Sequence, residues 1–269
     1  MLKILSRDIV EGYRRDGFLY PIRVISELES TNLRQSLESI SDQDLKKIGG
    51  RLQHKPHLLI TALNSLVRNS KILDVVEDLI GPNILCWGGA FFTKNAGDSS
   101  FVSWHQDSTY WGLSGGSVLT AWVALSPATI ESGAMKVIRG SHLGPDFKHI
   151  ETYDQHNLLS RGQEAQGEFN SEYEVDMTLN PGEVSFHDVK LLHCSLPNRS
   201  RVNRMGYAIR YITTDVKSSF LHDSALLVRG EDEFRNFIQE EDPEKDFSHS
   251  SIKSYLRASK LHEELLHRR

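Results

Sequence analysis

The N-terminal third of the chain repeats apolar residues at the spacing of amphipathic helices. Two of these segments begin at serine, Ser6 and Ser26, and a serine side chain can cap the first turn of a helix. A third follows further along and a fourth is closed by Gly81-Pro82, a combination that ends helices. The pattern predicts helices at 6–15, 26–40, 58–67 and 70–80.

The segment 17–25, between the first two helices, is apolar and short enough to be a strand. It contains Pro21, which cannot donate a backbone hydrogen bond, so we expect it at the edge of a sheet. From Asn83 onward, runs of β-branched and aromatic residues alternate with Gly, Ser, Asn and Pro. These runs predict strands at 84–94, 103–106, 117–125, 135–138, 173–177, 183–187 and 205–213. Many short strands favour a sandwich, a barrel or a jelly roll, here in an α+β chain with helical flanks.

Two segments interrupt this regular pattern. Residues 143–172 are polar and long for a connection, which indicates either an ordered flap or a mobile lid. After Thr214 we expect helices again, separated by an acidic stretch at 239–246 that is interpreted as a solvated linker. From Ser250 the chain predicts an amphipathic helix that packs on the outer face of the sheet or on a second subunit.

The length of 269 residues suits one domain, with a helical flank (1–82), a β core (83–214) and C-terminal helices (215–269). The 31 basic and 36 acidic residues leave a net charge of −5 without a long basic run, so nucleic acid and anionic membranes are not expected partners. Arg and Asp occur too early for a signal peptide, and the two cysteines, Cys86 and Cys194, predict buried thiols. A cytoplasmic location is therefore expected. The sequence indicates no oligomeric state.

One short motif combines a histidine with a carboxylate at the end of a predicted strand. In His105-Gln106-Asp107 the two side chains are two residues apart, so an extended backbone directs both to one face. With one more histidine they can hold a metal on three adjacent positions, as in 2-His-1-carboxylate iron sites. Of two rival pairs, 149–151 has no strand context, and 262–264 lies in the C-terminal helix, where a solvated surface is expected.

The predicted third ligand is His193, in a structured stretch that follows the Pro181-Gly182 turn and a strand. His187 is its rival, and we interpret it as a hydrogen-bonded imidazole behind the ligands.

An arginine close to His193 in sequence can bind a carboxylate in a bidentate fork. Arg204 lies 11 residues beyond that histidine (204 − 193 = 11), early in a predicted strand. Arg199, Arg201 and Arg210 compete for this role, although each can equally be surface charge or part of a structural ion pair.

In this order, the motifs resemble the phytanoyl-CoA dioxygenase (PhyH) family of Fe(II)/2-oxoglutarate-dependent oxygenases. The resemblance extends over about residues 5 to 215 and depends on the combination, because each motif alone is loose. The matching positions are His105-Gln106-Asp107, Trp122 within Leu119-Thr120-Ala121-Trp122-Val123-Ala124-Leu125, Gly133, Gly140-Ser141-His142, Pro181-Gly182-Glu183 and the stretch from His193 to Arg204.

The resemblance implies a double-stranded β-helix, a cupin-like jelly roll, with iron at its open end. It implies that His105, Asp107 and His193 bind Fe(II), leaving positions for 2-oxoglutarate and O2. Family members that halogenate have a small residue in place of the carboxylate, so Asp107 favours hydroxylation with release of succinate and CO2.

The resemblance also implies a binding site for the cosubstrate. Arg204 would pair with the far carboxylate of 2-oxoglutarate, Ser195 would hydrogen-bond to the same carboxylate, and Trp122 would wall the pocket. Ordinary core and turn positions explain Ser195 and Trp122 equally well.

The substrate is harder to predict than the reaction, because it depends on the rim of the pocket. Aromatic residues near the first motif can hold an ammonium group, although core packing is the simpler interpretation of each: Trp87, Phe92, Trp104, Tyr110 and Trp111. Lys94, Arg23 and Arg161 can meet an anion, with a solvated position as the default. We expect a small polar metabolite, preferably a zwitterionic organophosphonate or an ammonium compound.

Three alternatives stay open at this point. The substrate can be an acyl-CoA, another acyl thioester or a natural-product intermediate. A cupin-like metal protein that does not use 2-oxoglutarate would need His187 or another residue as a fourth ligand and would have no use for Arg204. A binding protein with a degenerate site is disfavoured by the complete set of candidate ligands.

Overall fold

The computed structural model describes residues 2–52, 54–220 and 222–267. Its helices are α1 (Arg7–Asp16), α2 (Glu27–Glu38), α3 (Asp42–Lys46), α4 (Thr61–Val67), α5 (Ser70–Ile80), α6 (Ser108–Trp111) and α7 (His249–His267). The four predicted N-terminal helices are present, although the third is a 3-10 turn at Pro56–Leu58 followed by α4. None of the described helices has the length and apolar character needed to cross a membrane.

Both predicted serine caps are present. Ser6 accepts a hydrogen bond from the backbone N–H of Ile9 at 3.3 Å, and α1 ends at Gly17, whose φ of 84° suits glycine. Ser26 forms a capping box with Glu29, in which each side chain accepts from the other residue's backbone N–H. Hydrogen bonds between residues close in the sequence therefore fix the starts of α1 and α2.

The strands form a seven-stranded sheet, a four-stranded sheet and two short pairs. They are β1 (Phe18–Arg23), β2 (Ile84–Lys94), β3 (Val102–His105), β4 (Leu113–Ser114), β5 (Val118–Ala124), β6 (Met135–Ile138), β7 (Lys148–Glu151), β8 (Gln163–Gln166), β9 (Glu174–Met177), β10 (Glu183–Asp188), β11 (His193–Ser195), β12 (Arg204–Thr213), β13 (Lys217–Ser218), β14 (Ser224–Arg229) and β15 (Ile238–Gln239). The larger sheet has the order β1-β10-β5-β12-β2-β14-β15 and the smaller one β3-β11-β6-β9. Neighbours are antiparallel except β14 and β15. All seven predicted core strands are present, and β1 lies at an edge as Pro21 indicated.

Strand parity on β12 separates the apolar core from the site. Tyr207 and Ile209 belong to the main core, which also contains apolar residues of α4 and α5. Arg204, Ala208 and Arg210 lie on the opposite parity and line a pocket that also contains residues of the smaller sheet. The larger sheet therefore packs on helices with one face and supports polar chemistry with the other.

The region after Thr214 differs from the prediction. Helices were expected from residue 215, but the structure has β13, β14 and β15 there, and among the described residues only α7 is helical beyond Thr214. The run from Ala225 to Val228 is short and apolar, a pattern that periodicity alone cannot assign to helix or strand. The run is a strand because β14 pairs with the open edge of β2 and satisfies the backbone hydrogen-bonding groups of that strand.

The acidic stretch 239–246 is not a purely solvated linker, as the sequence suggested. The carboxylate of Glu240 turns inward and lies 2.6 Å from the ammonium group of Lys55, and both side chains are almost fully buried. Asp246 accepts hydrogen bonds from Thr61 at the start of α4. These acidic residues therefore attach the C-terminal region to the helical flank.

Helix α7 is amphipathic, as predicted, but His262 does not face solvent. Tyr255, Ala258 and His262 are buried at the three- and four-residue spacing of one helix face. The ring of His262 is 4.5 Å from that of His54 and 4.9 Å from Trp87, so the expectation of a solvated histidine is wrong. His262 is part of the apolar face of α7, and this face packs on the larger sheet at Trp87.

The 143–172 segment, here called the flap, lies against the smaller sheet. It contains the β7–β8 hairpin, and Asn157 donates to the hydroxyl of Ser103 at 2.8 Å. The backbone N–H of Leu158 donates to the carbonyl of Phe101 at 2.8 Å. Several polar side chains therefore join this segment to β3 and the residues just before it.

Candidate metal centre

Three candidate ligands converge where the strands of the smaller sheet meet. His105 ends β3, His193 begins β11, and the two residues are Cα partners in antiparallel register. Their ligand atoms and a carboxylate oxygen of Asp107 all lie within 4.8 Å of one another. One metal ion can therefore bind all three.

Asp107 lies outside β3, whereas the sequence predicted that it continues the extended backbone of His105. β3 ends at His105, and Asp107 has helical dihedrals, with φ −61° and ψ −36°, just before α6. The carboxylate still lies 3.5 Å from Nε2 of His105. The extended backbone assumed from the sequence is therefore wrong at Asp107, although the two side chains do converge.

Backbone carbonyls orient both histidines. Nδ1 of His105 donates to the carbonyl of Ser103, and Nδ1 of His193 donates to that of Leu191, each at 2.9 Å. With the proton on Nδ1, the lone pair of Nε2 is available to a metal in both rings. Burial and the nearby His105 hold the pKa of His193 well below its usual range, which keeps that ring neutral.

The carboxylate of Asp107 is ionised in this environment. Burial opposes its charge, but His105, His193 and Arg210 beside it lower its pKa strongly. The centre therefore offers two imidazole nitrogens and one carboxylate, a donor set that suits a divalent metal.

Gln106, between His105 and Asp107, fixes the backbone of the motif through three hydrogen bonds. Its fully buried side chain donates to the carbonyl of Lys190 and accepts from the N–H of Phe147, while its own N–H donates to Nε2 of His149 at 3.0 Å. His149 was expected outside any strand, but it lies on β7. It supports the backbone of Gln106 because the flap folds back against β3.

Arg204 is buried in the same pocket, with 2% of its surface exposed. Its Nε has no hydrogen-bond partner among the described residues, and the guanidinium lies over the ring of Trp122 at 5.3 Å. Burial lowers its pKa to about 10. A buried cation without an acceptor is costly, so the chemistry of this end of the pocket fits a bound anion.

Lys94 adds a second cation, where the sequence suggested a solvated side chain. It is the Cα partner of Arg204 and is fully buried. Its ammonium group donates to the hydroxyl of Ser195 at 2.7 Å and to the carbonyl of Leu196 at 2.5 Å. Burial and the charge of Arg204 lower its pKa to about 7. The position of β12 beside β2, which local pattern cannot predict, places this lysine behind Ser195, which lines the pocket.

Several buried polar atoms in the pocket also lack partners among the described residues. These are the hydroxyl of Thr120 and both ring nitrogens of His187, while Trp122 forms a neighbouring wall. The ring centroid of His187 is 4.8 Å from that of His193, but His187 is not part of the three-ligand cluster. Burial lowers its pKa to about 4, so it is neutral.

A wider cleft of about 650 Å³ opens beside the ligands. Of the five aromatic candidates, Phe92, Tyr110 and Trp111 line it, whereas Trp87 and Trp104 do not. The other basic candidates do not reach the metal ligands: Arg23 pairs with Glu183 at 2.8 Å, Arg161 pairs with Glu151 at 2.9 Å, and Arg199 and Arg201 are exposed.

A two-sheet fold with two histidines, a carboxylate and a buried arginine in one pocket defines a candidate non-haem metal protein. The chain belongs to the family described as "Phytanoyl-CoA dioxygenase (PhyH)", whose model matches residues 13–206.

Three similar proteins illustrate the relationship. A "Probable alpha-ketoglutarate-dependent hypophosphite dioxygenase" of Stutzerimonas stutzeri is 32% identical over 61% of this chain, and the match spans 58% of that protein's length. A solved structure titled "non-heme monooxygenase; ThoJ apo" has a TM-score of 0.86 and 32% identity, covering 96% of this chain and 97% of that one. A second, "Non-heme monooxygenase, ThoJ-Ni complex", has a TM-score of 0.81 and 30% identity and covers 96% of this chain and 98% of that one.

Proposed function

We propose that this protein is an Fe(II)- and 2-oxoglutarate-dependent dioxygenase that hydroxylates a C–H bond of a small polar metabolite. In this proposal, the two sheets form a cupin-like double-stranded β-helix, and His105, Asp107 and His193 hold the iron. The arrangement that carries the proposal is the buried Arg204, which has no acceptor in the part of the chain that the structure describes and lies in the pocket of the three candidate ligands. A relative named for its dependence on alpha-ketoglutarate supports the cosubstrate.

The residues of the narrow pocket bind the cosubstrate in this proposal. Arg204 neutralises the far carboxylate of 2-oxoglutarate, and Trp122 packs against its carbon chain. Ser195, which accepts a hydrogen bond from the ammonium group of Lys94 behind it, offers its hydroxyl to the same carboxylate. When bound, Fe(II) supplies the redox chemistry that divides O2 between 2-oxoglutarate, released as succinate and CO2, and a substrate C–H bond, which becomes C–OH.

The buried polar atoms have roles that do not depend on the metal. Thr120 and His187 offer hydrogen-bonding groups that orient the cosubstrate, and burial keeps His187 neutral so that it adds no positive charge beside the ligands. The two sheets exclude bulk water from the narrow pocket, which strengthens each of these interactions.

The cupin-like alternative without 2-oxoglutarate fits less well. It needs a fourth protein ligand, and the cluster of described residues has three members, without His187. It also leaves the buried charge of Arg204 without a partner among residues 2–52, 54–220 and 222–267.

Turnover of 2-oxoglutarate to succinate in the presence of Fe(II) tests the proposal. We expect slow turnover without substrate in the natural protein and at least about 100-fold less in His105→Ala, Asp107→Ala and Arg204→Ala. His222→Gln, at an exposed histidine, is the matched control and should leave turnover unchanged. If none of the three variants altered 2-oxoglutarate binding or turnover, the proposed function would be wrong.

A further inference from the structure

The wide cleft beside the metal ligands has a basic lining. Arg51, His54 and Arg210 all contribute to it, and Asp107 is the one acidic residue among the described residues of its wall. Asp107 belongs to the metal cluster, so a bound metal neutralises it. Beyond the metal cluster, the described lining of the cleft contains basic residues and no further carboxylate, which favours an anionic occupant.

Arg210 lies at the boundary between the cleft and the narrow pocket. It lines both, whereas Arg204, on the same face of β12, lines only the narrow one. No hydrogen bond or ion pair connects the guanidinium of Arg210 to any residue that the structure describes. The five N–H donors of this group are therefore available to a ligand.

Aromatic packing fixes the position of that guanidinium. Its central carbon lies over the ring of Trp111 at 4.8 Å. Trp111 packs against Trp87 with 5.3 Å between ring centroids, and Trp87 packs against His262 of α7 at 4.9 Å. Helix α7 thus supports the arginine through two tryptophans, and little conformational freedom is lost when an anion binds.

The same contacts disfavour an ammonium substrate. An ammonium group needs an open aromatic face, but Trp111 already packs against Arg210 on one side and Trp87 on another. The ring of Tyr110 is covered by the guanidinium of Arg161 at 4.9 Å. Arginine therefore already occupies a face of Trp111 and a face of Tyr110, two of the three aromatic candidates that line the cleft.

We propose that Arg210 binds an oxyanion group of the organic substrate and so selects phosphonates, sulfonates or carboxylates over neutral and cationic molecules. This inference rests on the proposed function, because it assigns the cleft beside the metal ligands to the substrate. The volume of about 650 Å³ leaves room for an organic body beyond the anionic group. Arg210 is a specificity-determining residue in this scheme, and Trp111 is the residue that positions it.

Calorimetric titration of the Ni(II)- and 2-oxoglutarate-loaded protein tests the inference without turnover. The probes are propylphosphonate, propanol and propylamine, which share a carbon chain and differ in charge. We expect the natural protein to bind propylphosphonate at least about tenfold more tightly than the other two. Arg210→Gln should remove this preference, and Arg210→Lys should retain part of it because it keeps the charge.

Two comparisons separate selectivity from structural damage. Arg201→Gln, at an exposed arginine before β12, should bind all three probes as the natural protein does. Arg210→Gln should bind 2-oxoglutarate within about twofold of the natural protein, because Arg204 serves that ligand. Equal binding of propylphosphonate and propanol by the natural protein would overturn the inference. So would a loss in Arg210→Gln that affects 2-oxoglutarate and not the phosphonate.

The inference and the proposed function fail in different ways. A natural protein that converts 2-oxoglutarate to succinate but shows no preference for the phosphonate refutes the role of Arg210 alone. One that binds the phosphonate through Arg210 but never forms succinate with Fe(II) refutes the proposed reaction and leaves the anion site in place.

Discussion

His105 and His193 are direct cross-strand partners in β3 and β11, with ring centroids 4.1 Å apart. They are 88 residues apart in the chain (193 − 105 = 88), yet backbone pairing between two short strands sets their separation. Each ring is also held by a carbonyl two residues before it. The separation of the two histidines is therefore set by the pairing of β3 with β11.

The first prediction concerns metal affinity. His193→Ala should reduce Mn(II) or Fe(II) affinity by at least about 100-fold, because it removes one of three candidate ligands. His187→Ala should cost at most about tenfold, since His187 lies beside the ligands and outside the cluster. Anaerobic titration calorimetry measures both. Equal losses in the two variants would favour the four-ligand, cupin-like alternative.

The second prediction concerns pH and 2-oxoglutarate. The pKa of Lys94 is lowered to about 7, so in the unliganded protein this amine becomes neutral as the pH rises above that value. A carboxylate beside it favours the charged form, so binding above pH 7 must take up a proton. The dissociation constant should therefore rise by up to about tenfold per pH unit from pH 7 toward about 9.

Calorimetry in buffers of different ionisation enthalpy measures this proton uptake directly. Lys94→Met should bind 2-oxoglutarate more weakly at pH 7 and should lose the dependence on pH. An affinity of the natural protein that stays constant from pH 7 to about 9 would contradict the role assigned to Lys94.

The third prediction tests the wall of the narrow pocket. A Cβ atom at Gly206 would overlap the indole ring of Trp122, so Gly206→Ala must displace that ring. We expect a loss of about 1–3 kcal/mol in stability and weaker binding of 2-oxoglutarate. Gly12→Ala, in α1, meets open space and should instead stabilise by about 0.5–1 kcal/mol. Urea denaturation and 2-oxoglutarate titration of both variants provide the comparison.

The fourth prediction concerns the buried pair of Lys55 and Glu240. Glu240→Ala leaves the ammonium group of Lys55 buried without its counter-ion, and we expect the free energy of unfolding to fall by about 3–5 kcal/mol. Glu241→Ala, next to it and exposed, should change stability by no more than about 0.5 kcal/mol. Urea denaturation of the two variants decides whether residues after 238 are part of the cooperative fold. Similar small effects would show that they are not.

Local signals predicted much of this fold because they act within a few residues. The caps at Ser6 and Ser26 and the apolar strand runs depend on neighbouring backbone groups, and the structure has them close to the predicted positions. The register of β3 against β11 is not local, so the sequence predicted His193 as the third ligand without predicting that it pairs directly with His105.

Two of the wrong predictions also result from contacts between segments that are far apart in the chain. Lys94 is buried because β2 pairs with β12, and His262 is buried because α7 packs back on Trp87. Neither the strand pairing nor the helix packing can be predicted from the ten residues around Lys94 or His262. Asp107 shows a different limit, since its side chain reaches the site from a helical turn although strand parity predicted the right direction for the wrong reason.

Arg204 and Arg210 lie six residues apart (210 − 204 = 6) on one face of β12. We assign Arg204 to the cosubstrate and Arg210, with α7 behind it through the two tryptophans, to the substrate. In this assignment a single strand carries one residue for each of the two binding sites. Exchanging the chain after residue 206 between relatives is therefore a route to new substrates that leaves the metal ligands untouched.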